Sequence, residues 1–331
     1  MARTLDPRLS TLQPALSADD ETNLGPLAGL PGRWTSNGSG WNLIALPFDK
    51  RFRVLVNQYD ETLDFTRVGG PVPNRGLDGD IDLVTLDYNQ EIIQVAAKDL
   101  PESGKAGGTD LPIHHEPGLW LARAAGAESE QKVEQTAAAP VGSAVARLST
   151  IPHGNAVLAH GFSRFYNDEP QIPGKDIVSG RPVSDTGAFG YFEGTYDQFR
   201  EKPFKGTFEN DPDFPGFSPD YPADLLRFAN ENLGDRTIVR TVELFVDTQI
   251  DAGGVLNIPF VVQQADTTRM RAWFWIQTLD GDAAPSRLQY LQVVDLDFLP
   301  RGLKQGGGLG GRITWPHISI NTLVKETSAE E

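Results

Sequence analysis

Apolar and polar side chains alternate with a period of two along most of the chain, which predicts many short β-strands. Each run is rich in Val, Ile, Thr, Phe or Trp and is bounded by Gly, Pro, Asp or Asn. Helical periodicity is nearly absent, and the one helical candidate is Ala223 to Asn232. The pattern is typical of an antiparallel barrel or sandwich. The predicted strands are Trp34 to Phe48, Phe52 to Asn57, Glu61 to Val68, Ile92 to Ala97, Gly118 to Arg123, Ala144 to Ile151, Ala156 to Phe165, Thr237 to Gln249, Val255 to Gln264, Thr268 to Leu279, Leu288 to Leu296 and Ile313 to Leu323.

The segments between these runs predict the domain organisation. Residues 1–23 and 326–331 form polar tails, and residues 24–325 form one β-domain. Gly25 to Gly32 is a candidate helical turn that closes one end of a barrel, and Leu279 to Asp282 carries a hairpin signal. A low-complexity excursion covers residues 124–140. A longer insertion, residues 166–235, contains enough Phe to dock on the domain, either over a pocket mouth or as a decorated loop.

Composition and charge narrow the classes of function. The chain of 331 residues has no cysteine, which excludes disulfides, thiolate zinc sites, iron–sulfur clusters and cysteine nucleophiles. Its net charge of −16 argues against nucleic acid or anionic membrane as a partner. Met1 to Leu30 lacks the apolar stretch of a signal peptide, and no apolar run is long enough to span a bilayer. We therefore expect a cytoplasmic protein.

The last predicted strand carries the main candidate for cofactor chemistry. His317 is one of only five histidines, and side-chain alternation places it on one strand face with Trp315, Ser319 and Asn321. A lone imidazole beside an aromatic ring suits an iron porphyrin, although a half-buried strand histidine also commonly bonds a backbone carbonyl. His317 is thus the candidate axial ligand if the chain carries a redox cofactor.

Two other motifs are weaker. His114 and Glu116 would share a strand face whereas His115 would point away; two ligands are too few for a metal site. His114 is therefore either a residue of the barrel mouth or a strand-start histidine bonded to a loop. The run from Gly306 to Gly311 precedes a strand and lacks the Lys-Ser/Thr of a phosphate loop, so it predicts a flexible connection.

Four segments, taken in order, resemble the nitrobindin-like haem-binding β-barrels, which are related to fatty-acid-binding proteins and lipocalins. The first runs from Gly25 to Trp34 and continues to Gly38-Ser39-Gly40, where the glycine pair lies two positions later than usual. The second is Tyr59 to Pro71, with Arg67 where a histidine is common. The third is His114 to Trp120, similar to a His-x-Glu-x-Gly-aromatic signature. The fourth comprises the last strands with His317. The resemblance covers about residues 24–165 and 237–325.

The resemblance implies a roughly ten-stranded antiparallel up-and-down barrel that binds haem b at one open end through a single histidine. By this likeness His317 is the proximal iron ligand, and Trp315 and His114 are candidate haem contacts. Such proteins handle peroxide, peroxynitrite or nitric oxide, so the activity would be peroxidase-like, peroxynitrite isomerase-like or ligand carriage. The insertion has no counterpart in short members of the family.

Peroxide chemistry needs a base to move a proton and a cation to stabilise the departing oxygen. Arg67, His153 and His160 are the candidates for these distal roles, and a solvated strand-end arginine is the simpler interpretation of Arg67. Two other functions stay open: a haem-free carrier of a fatty acid or similar apolar molecule, and a non-haem enzyme acting on a small organic substrate. The expected partner is a small ligand or oxidant. The oligomeric state is left open, with a homodimer among the options.

Overall fold

The computed structural model describes residues 24–48, 51–69, 72–74, 81–123, 144–184, 193–262, 265–298 and 313–326. The predicted tails, the excursion at 124–140 and the run from Gly306 to Gly311 lie largely or wholly outside these residues. Strands dominate the described chain, as the alternation predicts. The strands are β1 Gly32–Thr35, β2 Gly40–Phe48, β3 Arg51–Arg67, β4 Val72–Asn74, β5 Ile81–Leu100, β6 Leu111–Arg123, β7 Ala144–Ile151, β8 Asn155–Tyr166, β9 Val183–Ser184, β10 Ile238–Asp247, β11 Gly254–Asn257, β12 Asp266–Leu279, β13 Arg287–Phe298 and β14 Ile313–Lys325.

Ten of these strands form a closed antiparallel barrel, which confirms the predicted all-β barrel. The order around the wall is β3-β2-β14-β13-β12-β10-β8-β7-β6-β5, and the pairing of β5 with β3 closes it. The short strand β1 continues the line of β2 and pairs with both β14 and β3. Closure leaves no unpaired edge in this wall, and alternate side chains of each strand point inward.

One end of the barrel is closed by the segment before β1. A 3-10 turn at Gly25–Leu27 buries Leu24, Leu27 and Leu30 against the barrel interior. The Trp34 indole Nε1 donates to the carbonyl of Leu30 at 2.7 Å and ties the turn to β1. The predicted end-closing turn is confirmed. The opposite end, where β14 starts and β3 starts, is called the histidine end below.

The insertion packs against the outside of the wall. Its described helices are α1 Glu193–Glu201 and α2 Asp224–Glu231, and α2 matches the predicted helical candidate. A second apolar cluster joins the insertion to the outer faces of β2, β3 and β12–β14. Within it Trp41 is 1% exposed and lies near the rings of Phe204, Phe214 and Phe217 at centroid distances of 6.0, 5.7 and 6.1 Å. This sector of the wall is therefore buried on both faces.

The structure corrects several predicted boundaries. The predicted break between Asn57 and Glu61 is wrong, because β3 runs through it. Gln58 points outward there, donates to the Gly38 carbonyl and Thr207 Oγ1 at 2.8 Å each, and accepts from the Thr207 amide. The predicted strand Val255 to Gln264 is also wrong between β11 and Val262. Pro259 lacks an amide for a strand ladder and instead starts the short helix α3, Pro259–Val262.

Glycines in two predicted motifs make room for interior rings. A side-chain carbon on Gly40 would lie 2.2 Å from Tyr59 Cε2, and one on Gly118 would lie 2.6 Å from Tyr88 Cε1. Both tyrosines are buried and hold polar groups of the interior. The glycines of β2 and β6 are therefore required by packing inside the barrel. Among the described helices, none has the length and apolar character that crossing a bilayer demands.

We predict that Trp41→Ala lowers the free energy of unfolding by about 3–5 kcal/mol, because it removes the side chain on which the insertion packs. Urea unfolding measures the loss. Val324→Ala is the control, since Val324 lies on β14 but is 60% exposed, and it should change stability by at most about 0.5 kcal/mol. Equal, small effects of both substitutions would contradict the described packing.

Candidate functional site

His317 lies on the interior side of β14 near the histidine end and is held by a polar cluster. The Asn42 amide of β2 donates to Ser319 Oγ at 2.9 Å and also to His317 Nε2. Asn42 Oδ1 accepts from Asn57 Nδ2 at 3.3 Å, which fixes the amide with its nitrogen toward the imidazole. Because an amide nitrogen only donates, Nε2 accepts and the ring proton lies on Nδ1. The strand-face prediction for His317 and Ser319 agrees with this arrangement.

The surroundings of His317 keep its ring neutral. Burial, and after it the nearby imidazoles of His114 and His153, lower its pKa from the usual value to about 3. The His114 and His153 rings stack with centroids 5.6 Å apart. Partial burial, then the charge of His114, also lowers the pKa of His153. The fold thus brings three of the five histidines to one end of the barrel from β6, the β7–β8 turn and β14.

A buried ion pair lies next to His114. Glu116 Oε2 is 3.1 Å from His114 Nε2, and Glu116 Oε1 accepts from Arg147 Nη2 at 2.6 Å and from the Tyr88 hydroxyl. Arg147 also donates to Tyr88 Oη at 2.8 Å and to Gln292 Oε1 at 2.7 Å. Glu116 and Arg147 are each 1% exposed. The carboxylate therefore orients the His114 imidazole while the guanidinium compensates its charge.

The same pair sets the ionisation of its neighbours. Burial acts to raise the pKa of Glu116, but the Arg147 charge and the bonds from His114 and Tyr88 outweigh it and hold the pKa well below its usual range. Burial opposes the charged form of Arg147 as well, and Glu116 and Tyr88 together raise its pKa. The guanidinium lies over the Tyr88 and Phe274 rings, each at 5.3 Å. Both partners stay charged inside the barrel.

A second interior carboxyl, Glu61, is held by neutral hydrogen-bond donors. It accepts from Tyr290 Oη at 2.6 Å, Gln90 Nε2 at 2.7 Å and Asn321 Nδ2 at 2.8 Å. Burial raises the pKa of Glu61, and these three hydrogen bonds act against that rise. Tyr59 extends the network through its hydroxyl, 2.7 Å from Tyr290 Oη. The network connects β3, β5, β13 and β14 across the middle of the barrel.

Three predicted candidates lie away from this cluster. Trp315, on the same strand face as His317, is buried in the second apolar cluster, where its Nε1 donates to Tyr196 Oη at 2.6 Å and its ring centroid lies 4.8 Å from that of Phe52. Arg67 ends β3 at the closed end, about 36 Å along the strand from the part of β3 nearest His317. His160 follows the interior residue Ala159 and so faces outward on β8. The structure does not bring Arg67 or His160 to His317.

The side chains of β6 divide between two strand faces as alternation predicts. His114 and Glu116 meet on the interior face, whereas His115 is half exposed and faces Glu91, with 3.8 Å between Nδ1 and Oε1. Within the described ranges no group of three or more His, Asp or Glu side chains is arranged to hold a metal ion.

Sequence reasoning missed most of the residues that surround the histidines. Arg147, Asn42 and Glu61 were not singled out, although each occupies an inward position in an alternating strand. A charged or amide side chain at an inward position is the signal that would have found them, once the strand register was known. Their partners come from other strands, and a single sequence does not give that register.

Comparisons with known proteins leave the family open. No protein-family model matches the chain, and no curated protein matches it. A solved structure, that of Rv2717c from M. tuberculosis, is similar with 13% sequence identity and a TM-score of 0.37, over 91% of this chain and 95% of that chain. At that score the likeness carries no argument about function.

We predict that Arg147→Met lowers the free energy of unfolding by about 3–5 kcal/mol, because it leaves the Glu116 carboxylate buried without its cation. Adding Glu116→Gln removes that charge and should recover most of the loss. Denaturant unfolding of both single variants and the double variant gives the coupling energy. A double variant as unstable as the sum of the singles would show that the pair is not coupled.

The low pKa of His317 predicts acid sensitivity. The folded state binds a proton at His317 only near pH 3, whereas an unfolded histidine binds one near pH 6.5, so stability falls as pH decreases from 6.5 towards 3. Unfolding free energies measured across this range should fall less steeply for His317→Gln than for the wild type. His115→Gln, which removes an exposed imidazole, is the control. Identical slopes for wild type and His317→Gln would contradict the assignment.

Proposed function

We propose that this protein is a haem b-binding β-barrel that handles a small oxidant or diatomic ligand, such as peroxide, peroxynitrite or nitric oxide, with His317 as the iron ligand. The observation that carries the proposal is a neutral imidazole, half-buried at one barrel end, with two further imidazoles beside it. Neutral imidazole is the form of histidine that ligates iron. The resemblance of four sequence segments to nitrobindin-like proteins supports the same assignment.

The imidazole of His317 can act as an iron ligand on one condition. His317 Nε2 already accepts a hydrogen bond from Asn42, so iron at this atom requires the Asn42 amide to rotate away. Losing the hydrogen bond from Asn42 costs about 1 kcal/mol of net free energy, which is modest. The Nδ1 proton then remains available to a hydrogen-bond acceptor, and a partner at that atom tunes the basicity of a ligating imidazole. Asn42 is accordingly a competitor for the ligand atom.

Haem would supply reversible ligand binding or redox conversion of the oxidant, and the chain supplies the setting for it. His114, oriented by Glu116 at 3.1 Å, is the group placed to take up or release a proton. His153 stacks on His114 and has a lowered pKa, so its ring is neutral at physiological pH. These two residues take the distal roles for which Arg67 and His160 were also considered. Arg147 is fully engaged with Glu116 and Tyr88.

Titration of the haem-free protein with hemin tests the proposal. The wild type should develop a Soret band at one equivalent, and His317→Ala should shift and weaken it. Asn42→Ala frees Nε2 and should tighten hemin binding by roughly fivefold, the equivalent of about 1 kcal/mol. Circular dichroism and thermal unfolding establish that each variant is folded.

Three other outcomes would be informative. If the wild type gives no Soret band, the protein is not a haem protein. If the band is indifferent to His317→Ala, another residue is the ligand. A lipid found by mass spectrometry in colourless purified protein would instead support the carrier function.

A further inference from the structure

A small cavity in the barrel interior lies beside the Glu116–Arg147 pair. We call it the Ser149 cavity; its wall includes Glu116, Ser149, Thr267, Met270, Gln292 and Val294. In the strand register Val294 is paired with His317 and Gln292 with Ser319, so the cavity adjoins the His317 strand. The space holds a molecule of about two heavy atoms. A porphyrin or a fatty acid is far too large for it.

Ser149 supplies an unmet hydrogen-bonding group. Ser149 is 6% exposed, and its Oγ has no hydrogen-bond partner among the residues that the structure describes. A buried hydroxyl left without a partner costs about 1–3 kcal/mol, so such a group indicates a bound molecule. Ser149 lies at an inward position of β7, opposite Gly118 of β6 and Val157 of β8.

The remaining wall selects for a neutral occupant. The charge of Glu116 is compensated by Arg147, and the Gln292 amide is oriented because Arg147, which only donates, bonds its Oε1. The amide nitrogen of Gln292 is therefore a donor on the side away from Arg147. Met270, Val294 and three further aliphatic side chains make most of the remaining wall apolar, and the polar side chains of Asn155 and Thr267 are hydrogen-bonded to each other at 3.2 Å. An ion would enter with no opposite charge free to receive it.

We propose that the Ser149 cavity binds a small neutral molecule that both donates and accepts hydrogen bonds, of the size and polarity of hydrogen peroxide, with the Ser149 hydroxyl as its anchor. The choice of peroxide rests on the proposed function, whereas the cavity and its unmet hydroxyl do not depend on haem. Bound peroxide lies in the same cavity as Met270, which gives a chemical readout. The thioether sulfur attacks one peroxide oxygen, the O–O bond breaks, and the products are methionine sulfoxide and water. Sulfur loses two electrons and peroxide gains them.

The test uses haem-free protein treated with hydrogen peroxide. The chain has only two methionines, Met1 and Met270, so mass spectrometry of peptides or a 13C-methyl label resolves Met270. Met270 is 3% exposed. We expect its oxidation rate to saturate with peroxide concentration in the wild type. Ser149→Ala should raise the half-saturating concentration roughly fivefold, as loss of one hydrogen bond implies, and Ser149→Thr should retain it.

Two controls test whether oxidation of Met270 reports peroxide bound in the Ser149 cavity. Thr150→Ala alters an exposed hydroxyl on the opposite strand face and should leave the rate unchanged. The bulky tert-butyl hydroperoxide should leave Met270 reduced, because it exceeds the cavity. Oxidation by both peroxides at equal rates would show that Met270 reacts only in unfolded protein and would overturn the proposal.

A rate linear in peroxide and equal in wild type and Ser149→Ala would also overturn it, because the cavity would then hold water only. Hemin binding is measured separately. The oxidation of Met270 can therefore be interpreted even if the protein does not bind haem.

Discussion

Pairing of β3 with β5 closes the wall, and the rest of the structure depends on that closure. Once every wall strand is paired on both sides, the inward side chains share an interior with little water. A polar group in that interior loses its hydration and must find partners. Glu116 finds Arg147, whereas Glu61 is held by three neutral donors. The difference explains why their pKa values shift in opposite directions.

In one sector of the barrel wall the outer face is also buried, so the side chains there must pack against other parts of the chain. β2, β3 and β12–β14 present large apolar side chains outward, and the insertion covers them. β14 is therefore packed on both faces, with Ile318 and Ile320 buried outside and His317 and Asn321 inside. A strand held on both sides positions its side chains with little freedom, which suits a residue that must present one ring nitrogen. The insertion thus supports the histidine end from behind the wall.

Part of the site follows from sequence because it depends on local geometry. Alternation places His114 and Glu116 on one face of β6 and sets His115 apart, as the structure has it. The meeting of His317 with His114 and His153 is different, since these residues come from β14, β6 and the β7–β8 turn. Their proximity results from the strand order and register of the closed barrel. Arg67 and His160 met the same criteria of residue type, yet register and face place them elsewhere.

The sequence by itself determined the strand-rich class, the end-closing turn at Gly25–Leu27, the helix Asp224–Glu231 and the strand face that His317 shares with Ser319 and Asn321. Each of these depends on side-chain periodicity or turn residues within about ten positions. Only the tertiary structure decided that Arg147 neutralises Glu116, that Asn42 bonds His317 and that Trp315 packs under the insertion. Those contacts join residues far apart in the chain, and burial makes them necessary, because a desolvated polar or large apolar side chain must have a partner.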